Sequence, residues 1–175
     1  ERNKEAFNAI LTGFKELGYN VKYKLLNAKD YNVPQDRERV FIVGFLNDVN
    51  FQFPEPNKKH ITLRDAIDDL KDNVKPYSQQ ELNEFNHEYY TAGFSTIFMS
   101  RNRVRSWDEQ SFTIQAGGRH APLHPQAPKM EFIEQNKRIF KRGSEELYRR
   151  LSVRECSRIQ TFPDEFKFVY NNVLD

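Results

Sequence analysis

The sequence predicts an α/β chain of mixed α+β character: a helix-and-strand opening, then a long loop-rich stretch studded with arginine. Three observations carry this. Residues 3–17 repeat apolar side chains at helical spacing. Residues 21–26 alternate apolar and polar, and residues 40–45 form a continuous apolar run of buried-strand type. Beyond residue 46 the texture changes to Asn, Asp, Pro and Gly with only short apolar runs.

Taken in order, Ala6, Phe7, Ile10, Leu11, Phe14 and Leu17 line one face of the opening helix, and Gly18 stands where a left-handed cap belongs. Thr62 with Asp65 makes a capping-box start for a short helix reaching about Leu70. Residues 72–92 are polar, Tyr-rich and irregular. Strand-like runs return at Ser95–Ser100 and Ser111–Ala116 around a turn at Trp107-Asp108-Glu109, followed by Gly117-Gly118 and a proline-rich loop, residues 121–128. Ser144 is an N-cap candidate, and Ser152 with Glu155 opens a helix through Ile159 or Gln160, which Pro163 stops.

At 175 residues, 38% hydrophobic and 30% charged, the chain is large and apolar enough for a packed core, which excludes a disordered chain. No apolar run approaches a membrane span and no signal peptide opens the sequence. A single cysteine, Cys156, excludes an internal disulfide framework and a CxxC zinc cage. The start at Glu1 without Met and the end at Asp175 without a cap read as the edges of a piece cut from something larger.

The net charge of +2 is unevenly spread. Residues 1–96 hold 13 basic and 15 acidic side chains, residues 97–158 hold 13 and 7, and residues 159–175 hold 1 and 3. A basic segment of this kind suits a polyanion partner or a solvated face. Within it, Arg101, Arg103 and Arg105 alternate ahead of Trp107, and Arg119 follows Gly117-Gly118. An arginine fork matches O6 and N7 of guanine, although charge on an edge strand also blocks self-association. Gln35-Asp36-Arg37-Glu38-Arg39 suits a phosphate or a base carbonyl, or else a surface ion-pair cluster. The capped, arginine-rich helix of residues 149–158 suits phosphate contact, but its apolar positions point mainly to packing, with Cys156 a structural thiol. His120 and His124 lie among prolines, without a third ligand in reach of sequence, and no metal site is expected.

Together these segments resemble the C-terminal part of a DNA cytosine-5 methyltransferase. Val33 to Gly44 is similar to the family's QxRxR motif with its following strand, and Arg149 to Asp164 is similar to its RxLTxRExxRxQxFPD motif. Met99 to Met130 resembles the target-recognition region of the HaeIII-type subgroup, which modifies the inner cytosine of GGCC.

The resemblance implies the end of a Rossmann-like, S-adenosylmethionine-dependent catalytic sheet over residues 1–46, a small target-recognition domain over 47–145 and a closing helix motif over 146–175. It implies methyl transfer from S-adenosylmethionine to C5 of a flipped cytosine in double-stranded DNA. Arg39 would reach the flipped base, with Arg37 supporting that pocket. Arg101, Arg103, Arg105 and Arg119 would contact DNA, and Gln35, Arg154, Glu155 and Arg158 would be structural. The glycine-rich cofactor motif and the Pro-Cys nucleophile are absent from these 175 residues, so no cofactor-binding residue is expected here and the chain alone should transfer no methyl group. An N-terminal catalytic half, a cognate endonuclease and a bacterial, nucleoid-associated cytoplasmic setting are further implications. Two other readings remain, a DNA-binding module without catalysis and an RNA-modifying relative; an upstream Pro-Cys would oppose the first, and the deep groove of A-form RNA opposes the second.

Overall fold

A computed structural model describes residues 2–78 and 85–169 and shows a mixed α/β structure with three α-helices and three small two-stranded sheets among them. Helix α1 (Arg2–Glu16) is closed by Gly18 at φ 86°, whose N–H donates to the Lys15 carbonyl. Strands β1 (Asn20–Asn27) and β2 (Glu38–Phe45) pair antiparallel from Asn20 opposite Phe45 to Asn27 opposite Glu38. Phe7 meets Tyr23 edge-on at 4.9 Å and fixes the helix on this ribbon.

The apolar run of residues 40–45 forms its strand but is not buried. Val40 is 52% and Phe41 50% exposed, and Leu25 on the paired strand is 58% exposed. Two strands and one helix cannot enclose both faces of a sheet, so the apolar pattern exceeds what the described residues cover.

Both capping boxes form. Thr62 Oγ1 accepts from the Asp65 N–H while Asp65 Oδ2 accepts from the Thr62 N–H, starting α2 (Leu63–Ile67), which continues as a 3₁₀ turn at Asp68–Leu70. Ser152 and Glu155 exchange the same pair of bonds at α3 (Val153–Ile159). Leu63, Ile67, Leu151 and Ile159 bury between these helices, and a second core gathers Phe98, Val104, Leu123, Met130 and Tyr148.

Elsewhere the strand expectations fail. Residues 95–100 form a turn and a 3₁₀ helix (Phe98–Ser100), because the Ser95 hydroxyl and carbonyl accept the Phe98 and Met99 N–H groups and offer the backbone a local partner. Of residues 111–116 only Ser111 bridges, to Gln35. Ser144 precedes a 3₁₀ turn but makes no side-chain cap. Two short sheets appear without an anticipated pattern: a parallel pair, β3 (Lys75–Pro76) with β4 (Glu88–Tyr89), and a hairpin, β5 (Glu131–Glu134) with β6 (Lys137–Ile139), turned at Asn136 with φ 62°.

Candidate nucleic-acid interface

Three irregular segments lie side by side at the centre of the arginine-rich half. Val104 bridges Leu123 in parallel and Leu123 bridges Arg150 antiparallel, with the Leu123 N–H donating to the Arg103 carbonyl at 3.0 Å. Alternation buries Val104 and Leu123 in the core and leaves Arg103 and Arg105 on the other side. There they line a cavity of about 240 Å³ with Arg101, Asp36, Phe112 and His120.

Arg101, Arg103 and Arg105 are not equivalent. Arg101 is exposed with no hydrogen-bond or ion-pair partner among the described residues, and so is Arg119, whose backbone carbonyl is held from within. Arg103 uses one edge internally: Nε donates to the Phe98 carbonyl at 2.8 Å and Nη2 to the Ile97 carbonyl at 3.1 Å, with the guanidinium 4.8 Å from the Phe98 ring centre. Its outer edge, Nη1 with the second Nη2 hydrogen, stays open and is preoriented. Partial burial and the charge of Arg101 pull its pKa down from the ordinary value. Arg105 is engaged by two carboxylates. Nη1 donates to Glu109 at 3.2 Å, Nη2 to Asp36 at 3.4 Å, and Nε is buried without a partner.

Asp36 belongs to the 35–39 motif, so this ion pair joins the two predicted sites. The joint is reinforced by the Asp36 N–H donating to the Ser111 carbonyl at 2.8 Å and the Ser111 N–H to the Pro34 carbonyl at 2.9 Å. Asn27 Nδ2 donates to Asp36 at 2.7 Å and holds that carboxyl below its usual range, assisted by Lys29 and Arg105. Gln35 is buried with its Oε1 unpartnered. Arg37 is half-buried with a free guanidinium among the described residues, while exposed Arg39 donates only to the carbonyl of Glu38 at 2.6 Å.

Behind this surface the closing segment is built from interior arginines. Arg149 grips Glu155 through two bonds of 2.8 and 2.7 Å. Arg150, 2% exposed, has no carboxylate among the described residues. It donates instead to the carbonyls of Tyr90, Ala92, Gly93 and Arg119 and stacks 4.1 Å from the Phe94 ring centre. Arg154, fully buried, likewise donates to the carbonyls of Phe85, Pro163 and Phe166. Arg158 bonds Asp69 and Asp164, which raise its pKa against the opposing effect of burial.

The model of the C-5 cytosine-specific DNA methylase family matches residues 1–175, the whole chain. The chain belongs to this family. It is 59% identical over 177 residues to the type II methyltransferase M.MthTI of Methanothermobacter thermautotrophicus, with 97% of this chain and 53% of that protein covered. Against M.FnuDI of Fusobacterium nucleatum the identity is 54%, covering 100% of this chain and 54% of the relative, and against M.NgoPII of Neisseria gonorrhoeae it is 50%, covering 99% and 54%. The methylase chain thus spans about half the length of these relatives.

Cys156 of the methylase chain lines an apolar cavity of about 290 Å³ with Tyr89, Ile114 and Leu151. Burial and the Glu155 charge push its thiol up to about 12, far from a nucleophile's range. His120 is exposed. His124 is wholly buried against Trp107, its Nε2 3.4 Å from Glu155, and burial pulls its pKa down to about 4. No helix of the described residues is long and apolar enough to cross a membrane.

Sequence reasoning missed three structural groups. His87 donates from Nε2 to the Leu70 carbonyl at 2.7 Å and so accepts at Nδ1 from the Ser152 hydroxyl, 2.8 Å away; carbonyl oxygen cannot donate, which fixes the tautomer. The buried roles of Arg149 and Arg150 were equally hidden; the one available signal was the Arg149–Glu155 spacing around a capping box.

Proposed function

We propose that this chain is the DNA-recognising portion, residues 47–145, with flanking catalytic-domain and closing segments, 1–46 and 146–175, of a DNA cytosine-5 methyltransferase of a type II restriction–modification system. Its target is the inner cytosine of GGCC. S-adenosylmethionine supplies the methyl group in this family, from a site outside these residues, and the chain alone transfers none. Arg39 meets the extruded cytosine, Arg37 supports it and the nearby phosphate, and Arg101, Arg103 and Arg119 read guanines from the major groove. A cognate endonuclease acting on the same site is part of the proposal.

The observation that carries this reading is the state of the guanidinium edges. Arg103 is anchored on two carbonyls with its outer edge open, while Arg101 and Arg119 are unengaged among the described residues. A bidentate guanine contact needs such an edge, already oriented and not spent on a carboxylate. The test is expression of the full-length gene in a host lacking cytosine-5 methylation, with bisulfite sequencing of plasmid DNA. Conversion blocked only at the inner cytosine of GGCC supports enzyme and target. Protection elsewhere refutes the target, and none refutes the activity.

A further inference from the structure

We infer that Arg105 acts within the protein as a positioning residue, the strut through which the guanine-reading segment sets the 35–39 loop for base capture. The inference rests on the proposed function. Three of its supports are geometric. Both terminal nitrogens of Arg105 are engaged by carboxylates, Asp36 at 3.4 Å and Glu109 at 3.2 Å, so the guanidinium is held between two internal partners. Its guanidinium lies 4.2 Å from the centre of the Phe112 ring, and Phe112 follows the residue that pairs with the loop. The loop itself is tied to that neighbour on both sides: the Asp36 N–H donates to the Ser111 carbonyl, and Thr113 Oγ1 donates to the Asp36 carbonyl at 2.9 Å.

The charge sequence around the strut is alternating. Lys29 lies 3.6 Å from Asp36 and Lys129 lies 3.5 Å from Glu109, so the order Lys29, Asp36, Arg105, Glu109, Lys129 places each carboxylate between two cations. Asp36 occupies the position directly before Arg37, three before Arg39. A shift of Arg105 on engaging its flanking guanine readers therefore moves the backbone that carries the base-pocket arginines. Binding of the duplex precedes base capture, so loss of the strut falls on turnover more than on duplex affinity or base choice.

The experiment uses the full-length enzyme and duplexes carrying the target or single-base variants of it. Arg105→Ala and Asp36→Asn are each expected to lower kcat by about 3- to 10-fold, with KM and target discrimination within about twofold of the parent. The double variant should lose no more than the worse single variant. Lost discrimination at one guanine in Arg105→Ala would make Arg105 a base reader and overturn the inference. Additive losses, or reduced stability with unchanged kcat, overturn it as well. If the parent enzyme methylates nothing, the proposed function fails separately, and amide exchange then decides the strut: Asp36 and Ser111 N–H groups must exchange faster in Arg105→Ala, and unchanged protection refutes it.

Discussion

Lowering the pH from 7 to 5 is expected to cost the fold about 2 kcal/mol through one side chain, His124. Its imidazole is wholly buried, and burial outweighs the attraction of Glu155, holding its pKa near about 4 against 6.5 when unfolded. Between those values the unfolded chain binds a proton that the folded chain does not, so stability falls as pH falls. Integrating that difference gives the loss of about 2 kcal/mol at pH 5 and about 3 kcal/mol at pH 4. The carboxylates held low, such as Asp36, Glu109 at about 2 and Glu155, begin to contribute only near and below 4.5, where their unfolded forms take up protons. Urea unfolding of the chain at pH 7, 6 and 5, beside His124→Gln, isolates the effect. The variant forfeits the Gln126 N–H bond to Nδ1 at every pH and should flatten the slope above pH 5. Equal slopes in both proteins would refute the buried, neutral histidine.

Breaking the Arg149–Glu155 pair by Arg149→Met strands a carboxylate with no exposed surface and should destabilise the fold by about 3 to 5 kcal/mol in the same denaturation assay; adding Glu155→Gln should recover part of the loss. At pH 8 a thiol pushed up to about 12 is ionised to about 0.01%, so Ellman's reagent should meet Cys156 without a fast phase until the chain unfolds. In the full-length enzyme Arg103→Ala should surrender about 1 to 3 kcal/mol of discrimination at one guanine, measured as kcat/KM ratios on single-base variants; a uniform loss on every duplex would make Arg103 a phosphate contact. Arg39→Ala should depress turnover more than duplex affinity, and unchanged single-turnover rates would remove Arg39 from the base pocket.

What the sequence made legible was local. Helix α1, strands β1 and β2 and both capping boxes are written within a few residues of one another and form where expected, although the apolar stripe of α1, like the run of β2, stays largely exposed, with Ile10 at 48% and Phe14 at 40%. The chemistry of the arginines was legible as a class and illegible as individuals. Arg105 and Arg103 stand two apart in one basic run, yet the first is consumed by a carboxylate 69 residues away and the second by carbonyls five and six residues back. Arg150 is harder still: its four partners are carbonyls 31 to 60 residues away, and a carbonyl carries no residue-type signature. The hairpin at residues 131–139 depends on Asn136 adopting φ 62°, a turn signal that Gln135 and the short strands around it dilute.

The interior arginines explain how a loop-rich region holds a defined surface. Regular strands would anchor such loops through ladders of backbone bonds, and here the ladders shrink to single bridges. The carbonyls of residues 90, 92, 93 and 119 are given a common donor instead. One buried guanidinium satisfies all four at once. Its planar fork also fixes their relative positions, and the backbone carbonyl of Arg119 is among them. Arg150 thus does for the 117–120 loop what the Phe98 and Ile97 carbonyls do for Arg103, with the roles of donor and acceptor exchanged. In both places the chain holds an outward-facing guanidinium by fixing the backbone or the edge behind it.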